Sequence, residues 1–481
     1  MTAPRISVRE IEIFERAVVL RLPFRFGVIT LRECPQTFAR ALVDVEGVGE
    51  AWGMSAEALA PKWFDKNPEL SNDDNLDQLR EALRIAGSAY VAADPSTAFG
   101  LFQGCYANQI VKGGEAGLPP LAAGYGQALL DRAVLDAVCV AGGTTLAEAI
   151  RGNIPGVTTA MTPELADFDL DGFLGGLAPL NKVAARHTVG MIDPLVASDQ
   201  SADERLDDGL PETLEEVISA YGIRHFKIKI TGDVDEDTER LSRVAATLDT
   251  IPDAYEASID GNEQYAGEAG VLELLSRLDG LASPALQRLL ASTIYIEQPI
   301  NRAVSLDTPV HGIAARAPLI IDESDGTLDA FPKHRPLGYS GVSSKTCKGF
   351  YKSILNAARC RQWSAEDGGK RYFLTGEDLT LQAGVALQQD LALISILGID
   401  HAERNGHHYT HGMIAASPEE QARFLAAYPD LYRDLNGVTC ARIENGAMST
   451  AGVLAKPGWG SAVTPDWTRM IPAQSHRRAA A

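Results

Sequence analysis

The stretch His225-Phe226-Lys227-Ile228-Lys229-Ile230 decides the fold. Phe226, Ile228 and Ile230 alternate as one apolar set, so Lys227 and Lys229 share the other face of a strand. Two lysines on a buried face are costly unless anionic groups compensate. The compensation lies downstream, at the ends of further short apolar runs: 257–261 with Asp260, 293–297 with Glu297 and 319–322 with Asp322. Runs at 341–345 and 372–375 end in Lys345 and Thr375. From Lys229 onward these polar ends are 31, 37, 25, 23 and 30 residues apart. A (β/α)₈ barrel spends ~31 residues per unit. With strands predicted at 185–190 and near 399–401, and helix-like stretches between, the expectation is an α/β barrel of eight parallel strands over 184–412. A doubly wound sheet would show the same alternation, but no GxGxxG or P-loop turn accompanies it here.

Around this region lie two others. Residues 1–150 read as a small α+β domain: strand-like alternation in 6–16 and 38–45, a Gly-rich turn at 46–53, then a helical period from Asn75 to Ile150. A Gly- and Pro-rich loop is predicted at 112–126. Residues 413–481 open with a helix-like piece, continue as short strands, and are expected to be disordered from Ser475.

The chain has 481 residues, 43 Lys+Arg against 64 Asp+Glu, and a net charge of −21. This balance argues against nucleic acid or an anionic membrane as partner. No apolar run reaches the ~18 residues of a membrane span, and residues 1–10 lack a signal-peptide core. The expected location is the cytoplasm. Cys34, Cys105, Cys139, Cys347, Cys360 and Cys440 are scattered and read as free, buried thiols rather than disulfides or a zinc site.

Asp260, Glu297 and Asp322, each at the C-terminal end of its strand, make an all-oxygen set suited to Mg²⁺. Lys229 and Lys345 flank it, and a lysine beside a cation can lose its proton and act as a base. Lys348 competes with Lys345 for that role but is expected on the following loop or helix. His401, His407, His408 and His411 fall within eleven residues. Their spacing matches no zinc motif, so contact with substrate at the barrel rim ranks above a metal role, and His187 reads as a filled core position.

The strings Lys227-Ile228-Lys229, Asp260-Gly261-Asn262, Ile296-Glu297-Gln298-Pro299, Ile321-Asp322-Glu323-Ser324 and Ser343-Ser344-Lys345, in this order and spacing, resemble the enolase superfamily in its muconate lactonizing enzyme subgroup. The helical run from Gly126 to Ala137 and Pro457-Gly458-Trp459-Gly460 are similar to that family too. The resemblance implies a modified (β/α)₇β TIM barrel with an α+β capping domain built from N- and C-terminal segments. It implies Asp260, Glu297 and Asp322 as ligands of Mg²⁺, with Mn²⁺ the alternative, and Lys229 and Lys345 as an acid/base pair on opposite faces of a substrate α-carbon. Lys227 becomes the electrostatic neighbour of Lys229 and of the substrate carboxylate; Asn262 and Glu323 become outer-sphere or substrate contacts. The cap residues implied to read the substrate are 24–28 and Trp52-Gly53-Met54.

The implied activity is abstraction of the proton α to a carboxylate through an enediolate, leading to racemisation or epimerisation, cycloisomerisation, or β-elimination as in a dehydratase. The implied partners are a small-molecule carboxylate and further copies of the same chain. Segments 65–126 and 153–183 look long for the family, and neither the Asp-x-Asp of dipeptide epimerases nor the Lys-x-His of the mandelate racemase branch is apparent. The competing readings are a metallohydrolase using the histidines from His401 to His411, and an inactive ligand-binding scaffold.

Overall fold

The computed structural model describes residues 3–479 except 28, 370 and 461. The chain begins with β1 (Ile6–Arg16), β2 (Val19–Phe26), β3 (Ile29–Glu33), β4 (Gln36–Val45) and β5 (Gly49–Ala58). Strands β1, β4 and β5 form an antiparallel sheet, whereas β2 and β3 pair only with each other, as a separate hairpin. Helices α1 (Asn72–Ala92), α2 (Ala98–Glu115) and α3 (Pro120–Gly142) follow, and α3 packs on β4 and β5. The strand Ile471–Arg477 returns from the far end of the chain to pair with β1, Glu10 opposite Arg477. The C-terminal segment therefore completes the cap, and residues 475–477, expected to be disordered, are in a strand.

The predicted loop at 112–126 is also corrected: only 116–119 separate α2 from α3. Gly117 (φ 79°) makes the short turn that remains, but two of the glycines serve close packing. A Cβ on Gly126 would stand 2.1 Å from the Ala82 carbonyl oxygen of α1, and one on Gly113 2.4 Å from Ala123 Cβ. Pro120 occupies the first position of α3, where a missing N–H costs nothing.

Eight parallel strands form the barrel: β6 (Lys182–Val189), β7 (His225–Lys229), β8 (Glu256–Asp260), β9 (Thr293–Glu297), β10 (Leu319–Ile321), β11 (Gly341–Ser344), β12 (Phe373–Gly376) and β13 (His401–Arg404). Pairing of β13 with β6 closes it. All eight lie within three residues of their predicted bounds. The eighth runs later than the predicted 399–401, because its buried face carries Glu403 in place of an apolar residue. Two helices, Glu268–Asp279 and Pro284–Ala291, fill the connection from β8 to β9. After β13 no helix joins the barrel's outer layer at once; a short turn Gly406–Tyr409 leads to Pro418–Ala427, and the strand Ala447–Ser449 then pairs antiparallel with β6. This is the (β/α)₇β arrangement.

Trp459 is packing: its N–H bonds Asp136 Oδ1 at 2.6 Å and its indole N–H bonds the Gln389 carbonyl at 2.8 Å. All six cysteines are free and buried. Among the described residues no helix is long and apolar enough to cross a membrane.

Candidate active site

Strand register builds the site. Lys229 is the cross-strand partner of Asp260, and Asp260 that of Glu297. Partners at one level of a parallel sheet point the same way, so all three side chains enter the lumen, while Phe226 and Ile228 on the other face of β7 are fully buried outside it. Lys227, two residues earlier, stands at the centre. Its Nζ lies 2.8 Å from Glu297 and from Glu377, and 3.0 Å from Asp260 and from Glu403. Lys229 Nζ donates to Asp260 Oδ2 at 2.6 Å. The chain turns sharply beyond β8 and β9, where Asn262 (φ 42°), Glu263 (φ 68°) and Gln298 (φ 32°) adopt left-handed backbone, the kind of strain that collects at functional sites.

Across the mouth, Lys345 donates to Asp322 Oδ2 at 2.7 Å, and Ser343 donates to Asp322 Oδ1. Lys348 lies on a 3₁₀ turn after β11 and is buried as well: it donates to Ser343 Oγ at 2.6 Å and lies 3.0 Å from Asp325. It supports Asp322 from behind and does not line the cavity between Lys229 and Lys345.

That cavity, of about 30 Å³, is walled by Phe24 and Phe26 of β2, Leu31 of β3, Trp63, and Leu379 beyond β12. The Lys345 ammonium sits 4.2 Å from the centre of the Trp63 ring, a cation–π contact. Of the implied segment, Phe24 and Phe26 reach the site while Arg25 is exposed; Val28 lies outside the described residues. Trp52-Gly53-Met54 does not reach it. Trp52 is 40% exposed and stacked on Arg40, and Gly53 is pressed against α3. The cap segment that reads the mouth is the turn carrying Trp63, held by Arg302, which donates to the Trp63 and Phe64 carbonyls at 2.9 and 3.0 Å and to Glu263 at 2.7 Å. Lys66 completes the clamp, 2.6 Å from Glu263 and 3.3 Å from Glu323. Asn262 donates to Glu323 at 3.1 Å, so this pair faces the Lys66 clamp and is not part of the cavity wall.

The charges set one another. Burial opposes the Lys227 ammonium, yet its four carboxylates hold its pKa well above the ordinary lysine value. Burial likewise opposes the Asp260 carboxylate, but Lys227 and Lys229 outweigh it and keep its pKa low. Asp322 is driven lower still, with Lys345 and Lys348 overriding burial. Lys345 is pushed up by Asp322 in spite of its burial. Glu297 goes the other way: burial, Asp260 and Glu377 outweigh Lys227 and raise its pKa well above a normal carboxyl.

Neither a family model nor a curated protein matches the sequence. Solved structures do match along almost the whole chain. They include 2-chloromuconate cycloisomerase from Rhodococcus opacus 1CP, 16% identical, covering 96% of this chain and 98% of that one with a TM-score of 0.60. An enolase from Bradyrhizobium complexed with magnesium and mandelic acid is 15% identical, with 98% of both chains covered and a TM-score of 0.59. A muconate lactonizing enzyme from Mycobacterium smegmatis complexed with muconolactone is 15% identical, with 96% and 98% covered and a TM-score of 0.56. The fold is that of the enolase superfamily.

On this enolase-superfamily fold the chain carries site residues that sequence reasoning passed over. Glu403 accepts from Lys227, from Thr188 at 2.7 Å and from the Asp378 N–H at 3.0 Å. Glu377 bonds Lys227, Arg186, and Tyr295 at 3.0 Å. Alternation along 401–404 would have exposed Glu403 had the predicted strand been carried three residues further. Glu377, one residue beyond β12, and the Arg302 clamp left no periodic signal.

The histidines do not converge. His401 begins β13, at the N-terminal end of the barrel, where its ring stacks 5.1 Å from that of His225. His407 and His408 follow the opposite end and pack on His187, ring centres 5.2 and 5.0 Å apart. Burial holds His187, His407 and His408 neutral, their pKa values well below the ordinary range. This geometry gives the metallohydrolase reading no support.

Among the described residues no three His, Cys, Asp or Glu side chains stand in an arrangement that grips a metal ion; lysine ammonium groups occupy Asp260 and Asp322 instead. The donor set nevertheless fits a hard divalent cation. It is all oxygen and buried, and Glu297 Oε2, Glu323 Oε2 and Asn262 Oδ1 accept no hydrogen bond. The raised pKa of Glu297 marks a site short of positive charge.

Proposed function

We propose that the protein is a Mg²⁺-dependent isomerase or lyase that removes the proton α to a substrate carboxylate. One observation carries this reading: Lys229 of β7 and Lys345 after β11 border the same cavity, each on a carboxylate of the candidate ligand set. The residues that would hold the metal are Asp260, Glu297 and Asp322. Bound there, Mg²⁺ supplies the charge that anchors the substrate carboxylate and stabilises an enediolate.

The chain's own residues do the rest. One lysine Nζ takes the α-proton and the other, still an ammonium, returns one at the same carbon; return from the opposite face inverts it. With a leaving group on the neighbouring carbon the same pair gives elimination or, run inward, cycloisomerisation. Lys345, held protonated by Asp322, serves as the acid of the resting pair. Lys227 keeps Asp260, Glu297, Glu377 and Glu403 together, and the Phe24 and Trp63 walls exclude water.

The test is exchange of the α-proton with solvent deuterium in a panel of carboxylic acids. Lys229→Ala and Lys345→Ala should each abolish exchange from at least one enantiomer while leaving the fold intact by circular dichroism. Exchange that survives both substitutions refutes the assignment.

A further inference from the structure

The cavity between the two lysines limits what can occupy it. Its free volume in this structure is about 30 Å³, well under the ~300–1,000 Å³ of ligand pockets, so the walls favour a compact group. Phe24, Phe26, Leu31, Trp63 and Leu379 wall it and are each at most 7% exposed. The wall is braced: Phe24 stacks on Tyr409 at 4.2 Å between ring centres and lies 5.3 Å from Phe26, and Trp63 is pinned by Arg302.

The only cations among the lining residues are Lys229 and Lys345, both assigned to the reacting carbon. The other charged lining groups are Asp378 and Glu403, and both are engaged. Asp378 accepts from the N–H groups of Leu379, Leu381 and Asn405 at 2.7–3.0 Å. Glu403 accepts from Lys227, Thr188, Asn405 and the Asp378 N–H. A second substrate carboxylate would face two anions, with only the neutral Thr380 and Asn405 side chains to donate to it. A substrate ammonium would have to displace built hydrogen bonds beside two lysines. A row of hydroxyl groups would be buried against phenyl and indole faces, a cost that rejects them strongly. Of the lining residues, Asn405 alone keeps a buried acceptor, Oδ1, without a donor; that leaves room for one hydroxyl.

We infer that the site takes a monocarboxylic acid whose remaining bulk is one compact apolar group, aryl or branched alkyl, with at most one hydroxyl, and that it rejects dicarboxylates, dipeptides and polyhydroxy acids. This rests on the proton-abstraction reading above.

The experiment follows deuterium incorporation at Cα by proton NMR, with Mg²⁺-loaded protein. One set of acids is 2-phenylpropanoate, mandelate and 2-hydroxy-4-methylpentanoate; the other is 2-methylglutarate, Ala-Glu and gluconate. The first set should exchange at least tenfold faster. If the second set exchanges as fast or faster, the substrate class is wrong and proton abstraction stands. If neither set exchanges, proton abstraction falls and the substrate class with it. Leu379→Arg, with Leu31→Arg as a second variant should the first fail to fold, places a cation on the apolar wall. It should move the preference toward 2-methylglutarate by at least tenfold, and an unmoved preference in a folded variant also overturns the inference.

Discussion

Lys227→Met tests the electrostatics at the centre of the barrel. Methionine keeps the unbranched length and removes the charge, leaving four carboxylates, from Asp260, Glu297, Glu377 and Glu403, around an apolar group where an ammonium had stood 2.8–3.0 Å from each. Such a cluster relieves itself by binding about one extra proton. Holding a carboxyl of ordinary pKa 4.5 protonated at pH 7 costs about 3.4 kcal/mol, at about 1.36 kcal/mol per unit. Breaking a buried ion pair costs roughly 3–5 kcal/mol by itself, so the two routes agree. We expect a loss of about 3–5 kcal/mol at pH 7, a large part of the ~5–15 kcal/mol that holds a protein folded. The extra proton is bound in the folded variant and released on unfolding. The deficit relative to wild type should therefore shrink as pH falls, by about 1.4 kcal/mol per unit down to pH ~5. Urea unfolding of both proteins in EDTA at pH 5, 6, 7 and 8 measures it. A loss under about 1 kcal/mol at pH 7, or one independent of pH, would refute the central role given to Lys227.

Three other predictions concern the metal, the cap and the histidines. Mg²⁺ should raise the unfolding temperature of the wild type, by an amount equivalent to about 2.7 kcal/mol at a hundred times its dissociation constant; unchanged Mg²⁺ affinity in Asp260→Asn, Glu297→Gln and Asp322→Asn alike would show that these residues do not hold it. Arg302→Met frees two carbonyls and half of the Glu263 pairing, and should cost about 2–3 kcal/mol in urea unfolding and raise KM more than it lowers kcat, with Arg302→Lys recovering only part; an unaltered KM would detach Trp63 from substrate binding. His187, His407 and His408 are buried and neutral when folded and take up protons near pH 6.5 when unfolded. Stability should be full above that pH and fall below it, by roughly 3–4 kcal/mol between pH 7 and 5.5 for the three together; His408→Gln should flatten the slope by about a third, and an unchanged slope would contradict the neutral assignment.

The barrel was legible because its strands repeat a rule. Apolar alternation with one polar residue at each C-terminal end marks β7 to β11 almost to the residue, and it marks Lys229, Asp260, Glu297, Asp322 and Lys345 with them. The rule was weakest at β13, where the lumen-facing residue is an anion at mid-strand. Lys227 is the largest of the charges that make an interior Glu403 tolerable, and no local pattern reports a partner 176 residues away. The glycines of α2 and α3 misled for a related reason: Gly113 and Gly126 answer to neighbouring helices, and their sequence surroundings look like a turn. The Arg302 clamp is of the same kind, a contact 239 residues long in sequence.

These charges also bear on why the barrel would want a cation. Lys227 is shared among four carboxylates, and Lys229 and Lys345 each neutralise one oxygen of a candidate ligand. Glu297 is left over: its pKa is driven up by burial and by Asp260 and Glu377, and its Oε2, although 2.8 Å from the Lys227 ammonium, receives no well-formed hydrogen bond. The resting site is thus balanced only while both outer lysines remain protonated. A base must be neutral to accept a proton, so one of those two charges has to be given up before the reaction starts. Giving it up adds a further uncompensated negative charge at Asp260 or Asp322, next to a carboxylate already short of a partner. A divalent cation on Asp260, Glu297 and Asp322 offsets both deficits at once, and a monovalent one does not. Metal binding and lysine deprotonation should accordingly be linked: Mg²⁺ uptake at pH 8 should release protons to the buffer. Calorimetric titration in two buffers of different ionisation enthalpy reads the number directly, and no proton release from the wild type would break the link.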